Sequence, residues 1–121
     1  MTKGYAEDCV AMREILSLVG DKWSVMVIVN LAEGARRFSD LKRAIEGISQ
    51  RMLTLTLRGL ERDGLLSRKV FPTTPPRVDY DLTRLGRTLI EPVTALAIWA
   101  ERHRPEIERA REAFARATKV K

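Results

Sequence analysis

The 121-residue sequence predicts a mainly α-helical domain carrying one small β-hairpin, an α+β arrangement. Three observations predict it. Apolar residues recur at helical spacing along most of the chain. Capping residues and glycines bound those segments. Residues 65–82 alternate instead, around a proline-rich tip.

The first helix is expected over residues 8–19, where Met12, Ile15, Leu16 and Val19 form an apolar stripe and Gly20 ends it. Asp21 offers an N-cap for a second helix over 22–33. Its Val25-Met26-Val27-Ile28-Val29 run has strand propensity, but the length, the cap and Gly34 as a stop favour a buried helix. Ser39 can cap a short third helix over 40–46, with Leu41 and Ile45 inward. After a turn at Gly47-Ile48, Ser49 caps a fourth helix over 50–62, stopped by Gly64. Strands over 65–71 and 77–82 flank Pro72-Thr73-Thr74-Pro75-Pro76, a loop too long for a tight turn. Thr83 caps a fifth helix running to about residue 102, kinked at Pro92, with Leu85, Leu89, Val93, Leu96 and Trp99 on one stripe. A last helix follows Pro105, with Ile107, Ala110, Phe114 and Ala117 in register.

The length suits one domain over residues 1–121, and the hydrophobic fraction of 45% is enough for a core. No stretch is long and apolar enough to cross a bilayer, and residues 1–8 lack the apolar centre of a signal peptide, so a cytoplasmic protein is expected. Cys9 is the single cysteine, which excludes an intrachain disulfide but not one between two copies. The net charge of +6 is concentrated. Residues 36–77 hold ten basic and four acidic side chains, and the remainder balances at twelve of each. A localised positive field suits a polyanionic partner.

The third helix, turn, fourth helix and hairpin form the informative unit. Two short helices joined by a glycine-containing turn are the signature of a helix-turn-helix, and the hairpin that follows can serve as a wing. Residues 36–83 are thus the expected DNA-reading core of a winged helix-turn-helix. At 100° per residue, Gln50, Arg51, Thr54, Leu55 and Arg58 share one side of the fourth helix. Met52, Leu53, Thr56, Leu57 and Leu60 share the other. In a major groove, Arg51 can bond guanine O6 and N7 in pairs, and Gln50 can do the same to adenine. Leu55 fits either a thymine methyl or spare core. Phosphates would be met by Arg36, Arg37, Ser39, Lys42 and Arg43, and by the N–H groups after Ser49. Lys69, Thr73, Thr74 and Arg77 can reach phosphates or the adjacent minor groove.

These stretches also carry a resemblance. They are Gly20-Asp21-Lys22-Trp23, Arg37-Phe38-Ser39-Asp40-Leu41 and Gly47-Ile48-Ser49-Gln50-Arg51-Met52-Leu53. Leu57-Arg58-Gly59-Leu60-Glu61-Arg62-Asp63-Gly64-Leu65, Pro76-Arg77-Val78-Asp79-Tyr80 and Leu82-Thr83-Arg84-Leu85-Gly86 continue the series. In order and spacing the sequence resembles the HxlR-type regulators, winged-helix proteins related in architecture to the MarR group, over about residues 9 to 100. It departs from them at Leu55, Thr56 and Gly59, where polar or acidic residues are common. The resemblance implies a homodimer on a palindromic operator, the first and last helices (8–19 and 84–117) forming the interface. It implies a recognition role for the fourth helix and control of transcription, often as a repressor. It places Cys9 where some members sense oxidants or electrophiles, with Val10 where proline is common. A first helical turn and Arg13 favour the thiolate there, whereas Glu7 and Asp8 oppose it.

Other readings stay open at this point. Trp23, Trp99 and Phe114 can line a small-molecule pocket between dimer helices, or be plain core. A winged helix can also be a protein-interaction module without DNA. An enzyme is not expected, and neither a metal nor a cofactor: His103 stands alone in a charged run, and no Cys/His metal spacing, Gly-rich phosphate loop or defined carboxylate pair is present.

Overall fold

The computed structural model describes residues 9–120. Glu7 and Asp8, invoked above at Cys9, and the expected helix start at residue 8 lie outside them, as does the signal-peptide reading of residues 1–8. The elements are α1 (Cys9–Val19), α2 (Lys22–Asn30), β1 (Arg36–Arg37), α3 (Phe38–Ala44), α4 (Gln50–Arg62), β2 (Leu66–Phe71), β3 (Arg77–Leu82), α5 (Arg84–Arg87) and α6 (Ile90–Val120). The chain divides after Ile90 into two compact units. The first holds α1 to α5 and the sheet, and the second is the body of α6.

Three of the four expected caps form. Asp21 accepts from the Trp23 and Ser24 amides, Ser49 from Met52, and Thr83 from Gly86. Each satisfies an orphan donor at a helix start. The Ser39 cap does not form. Arg37 holds the N-cap position of α3 without a side-chain bond, and Ser39 is already helical. The reason is β1, which the sequence reading missed: pairing of Arg36 and Arg37 with β3 brings extended backbone directly to Phe38. The hairpin thereby becomes a three-stranded antiparallel sheet in the order β1-β3-β2.

The core of the first unit comes from α2, α3, α4 and the root of the hairpin. Val27, Ile28, Leu31, Leu41, Ile45, Ile48, Leu53, Leu57 and Leu60 are essentially inaccessible, and Leu65, Leu66 and Leu82 close it from the sheet side. The strand-prone run of α2 is therefore a buried helix, ending at Asn30 rather than at residue 33. At the end of α4, Gly64 takes φ +77, a left-handed conformation that suits glycine. The Gly64 amide then donates to the Glu61 carbonyl and the Leu65 amide to the Leu60 carbonyl, which is a Schellman stop.

The C-terminal helices differ from expectation. The break falls at Thr88-Leu89, after one turn of α5, and α6 then runs unbroken for 31 residues. Pro92 lies in the first turn of α6, where an amide has no helical partner to lose, so it marks a start rather than a kink. Pro105 sits inside α6 and starts no new helix. It removes one hydrogen bond, which the turns on either side outweigh. No residue of α1 is buried. Val93 is buried on α6, whereas Leu96, Ile98, Trp99 and Phe114 are exposed in the single chain.

Candidate nucleic-acid interface

The burial of Leu53, Thr56, Leu57 and Leu60 fixes which side of α4 faces out. Gln50, Arg51, Leu55 and Arg58 are exposed and Thr54 is half-buried, matching the side read from helical phase. Leu55 is half-exposed, so it is not core. Thr56 bonds its hydroxyl to the Met52 carbonyl at 2.8 Å, which lets a polar residue sit inside. Gly59 points away from that outer face, since a Cβ there would meet Leu18 of α1 at 3.3 Å.

The sheet register sorts the remaining cations. Cross-strand partners share a face. One face carries Leu66, Arg68, Val70, Val78, Tyr80 and Leu82, joined by Arg36 opposite Tyr80. The other carries Lys69, Phe71, Arg77 and Asp79, joined by Arg37 opposite Asp79. On that second face Arg77 is not a loose cation. Its Nε and Nη2 donate to the two Asp79 oxygens at 2.9 and 3.0 Å. Its guanidinium lies 5.3 Å from the centre of the Phe71 ring, and Lys69 Nζ lies 5.2 Å from that centre. The Arg77 hydrogen bonds, together with the charges of Arg77, Arg37 and Lys69, hold the Asp79 carboxyl below its ordinary range.

The expected phosphate contacts fall into separate places. Arg37, Ser39, Thr73, Thr74 and Arg77 converge around one open hollow between the start of α3 and the hairpin tip. Thr73 is set there by donating from its hydroxyl to the Pro75 carbonyl at 2.8 Å. Arg36 and Arg43 line a different hollow, beside Asp40, with which Arg43 pairs. Lys42 and Lys69 line neither of these two hollows. A third hollow joins Thr54 and Arg58 of α4 to Arg68 and Tyr80 of the sheet. The sequence reading missed Arg68 and Tyr80, and only the strand register, which pairs them, would have exposed them.

The remaining candidates are scattered. Cys9 is exposed on α1. Trp23 is half-buried with Lys22 Nζ 4.8 Å from its ring centre. Trp99 stacks on His103 at 4.7 Å, and His103 Nδ1 donates to the Trp99 carbonyl at 2.9 Å. Phe114 is exposed. A larger apolar hollow, lined by Ile15, Leu16, Val19, Leu65, Leu85 and Leu89 among others, includes none of these three aromatics. Among the described residues no cluster of three or more His, Cys, Asp or Glu side chains could hold a metal, and no helix is long and apolar enough to cross a membrane.

This architecture is shared with solved structures and sequence relatives. The HTH-type transcriptional regulator YtfH of Escherichia coli K12 is 46% identical over 108 residues, 89% of this chain and 85% of the relative. The solved structure of the transcriptional regulator ytfH from Salmonella typhimurium is 44% identical, with a TM-score of 0.78 over 84% of this chain and 90% of that one. The redox regulator HypR in its reduced form is 38% identical, with a TM-score of 0.73 over 82% of this chain and 98% of that one. The family model described as HxlR-like helix-turn-helix matches residues 18–108. The chain belongs to the HxlR-like helix-turn-helix family of winged-helix proteins.

Proposed function

We propose that this chain is a homodimeric transcription regulator that reads duplex DNA with α4 in the major groove and the β2–β3 tip in the adjacent minor groove. The observation that carries the reading is the outer face of α4. Its apolar side is locked in the core, so Gln50 and Arg51 stand exposed at the N-terminal half of a rigid helix, free to meet base edges, with the half-buried Thr54 beside them. The hollow that gathers Arg37, Ser39, Thr73, Thr74 and Arg77 supports phosphate contact beside it. The exposed apolar residues of α1 (Val10, Ile15, Leu16) and of α6 (Leu96, Ile98, Trp99, Phe114) support a second copy as their cover. Residues 36–83 are then the reading core and the end helices the dimer-forming parts.

The test is selection of bound duplexes from a random pool, followed by binding across a salt series. Arg51→Ala should relax base preference, about 1–3 kcal/mol for a bidentate contact. Arg77→Ala should weaken binding to all sequences and lower the salt slope by about 1. Equal effects of both variants on selected and random duplexes would refute the assignment, and a monomer at micromolar concentration would refute the dimer.

A thiol switch at Cys9 is the second part of the reading. It is supported by the exposure of Cys9 on α1, one of the helices assigned to the dimer seam, and by the similarity to a named redox regulator. If Cys9→Ser still releases DNA on treatment with quinone or hypochlorite, the switch lies elsewhere.

A further inference from the structure

In a winged helix docked as above, α4 and the hairpin tip occupy neighbouring grooves. The sugar-phosphate strand separating those grooves must then cross between α4 and the sheet. The hollow at that crossing has a defined chemistry. It measures about 190 Å³ and is lined by Thr54, Leu57, Arg58 and Glu61 of α4 and by Arg68 and Tyr80 of the sheet.

Two guanidiniums and a phenol thus meet one carboxylate. Arg68 Nε lies 3.8 Å from Glu61 Oε2, a long pair with both side chains well exposed. Arg58 enters none of the ion pairs among the described residues. Thr54 already donates its hydroxyl to the Gln50 carbonyl at 2.9 Å, so it serves as wall rather than donor. Burial pushes the Tyr80 phenol above its usual range, against the opposing pull of Arg68 and Arg58. Tyr80 therefore keeps its proton at neutral pH and can donate it. The hollow has one positive charge in excess and donors from two independent elements.

We propose that this hollow seats one phosphodiester of the DNA backbone, held by Arg58, Arg68 and the Tyr80 hydroxyl, with Glu61 as the counter-charge that the phosphate displaces from Arg68. Arg68 and Tyr80 are then positioning residues that fix the register of α4 against the duplex and read no base. This rests on the DNA-reading role proposed above.

The test measures binding of the full-length protein to a selected duplex and to a random duplex, by fluorescence anisotropy across a salt series. Arg68→Gln should weaken both by the same factor, about 10, and lower the salt slope by about 1 per protomer. Tyr80→Phe, which removes only the hydroxyl, should weaken both by about threefold and leave the slope alone. Glu61→Gln should tighten both. Arg62→Gln removes an equal charge outside the hollow and should change little. A scan of single neutral methylphosphonates should find one position where the Arg68→Gln loss disappears. Wild-type affinity in both Arg68→Gln and Tyr80→Phe overturns the proposal and leaves the DNA reading standing. So does an equal loss in Arg62→Gln. Inorganic phosphate that binds the wild type, but not Arg68→Gln, at constant ionic strength without displacing DNA assigns the hollow to a free anion and overturns the backbone contact. A wild type that binds no duplex overturns both readings.

Discussion

Replacing Gly86 by alanine puts the wing root under a load that can be worked out from the structure. A Cβ at Gly86 would stand 2.0 Å from the Leu65 carbonyl oxygen and 3.2 Å from Leu82 Cδ2. Carbon and carbonyl oxygen ordinarily meet at about 3.3 Å, so the overlap is roughly 1.3 Å, and the obstacle is backbone. Relief requires moving the Leu65 carbonyl, which accepts from the Thr83 amide at 3.1 Å. Losing that bond costs about 1 kcal/mol, and overpacking adds about 1–3. The better helix propensity of alanine returns about 1. The net loss is about 2 kcal/mol, or roughly 8 °C in Tm for a chain of this size. The control is Gly59→Ala, where the new Cβ meets only the flexible end of Leu18 at 3.3 Å. It should be neutral or stabilising by up to about 1 kcal/mol. Both are measured by thermal and guanidinium unfolding at matched protein concentration, since association shifts Tm. A Gly86→Ala protein within about 0.5 kcal/mol of wild type would refute the close approach.

Two further outcomes follow from the same geometry. Ser49→Ala removes the only side-chain cap of α4 and leaves the Met52 amide unpartnered, which should cost about 1 kcal/mol in unfolding experiments, with Ser49→Asp close to wild type. The Asp79 carboxyl, held low by Arg77, should titrate by carbon NMR with a midpoint below the ordinary value of about 3.9, and a midpoint at or above it would contradict the pair. Because the folded state lowers this pKa, the pair contributes stability above the unfolded value and loses it as pH falls through the folded one.

The sequence was legible where one residue decides one local event. Asp21, Ser49 and Thr83 each satisfy a helix start within three residues, and Gly64 ends α4 by its own conformation. The outer face of α4 was legible for the same reason, since helical phase alone separates Arg51 from Leu53. What escaped depends on partners distant in the chain. A two-residue strand such as β1 has no periodicity to detect, and it forms because Tyr80 and Asp79 lie more than forty positions away to receive it. Its formation displaced the expected Ser39 cap. The break between α5 and α6 escaped because the apolar stripe from Leu85 to Trp99 continues across Thr88-Leu89, while the obvious breakers, Pro92 and Pro105, fall where a helix tolerates them.

The same long-range ties explain how a small fold can hold α4 and the hairpin at a fixed spacing. Leu65 links them. Its amide closes the α4 stop on Leu60, its side chain enters the core, and its carbonyl accepts from Thr83 while lying against Gly86. The Thr83 hydroxyl adds a bond to the Gly64 carbonyl at 2.6 Å. The end of α4 and both strands of the hairpin therefore meet at one satisfied junction, with Leu66 paired to Leu82 directly above it. A recognition helix and a wing that moved independently would lose contact energy to ordering each time DNA bound. In the proposed docking, fixing them at this junction removes that cost before the duplex arrives, and it places Arg58 and Arg68 across a hollow whose width the fold determines.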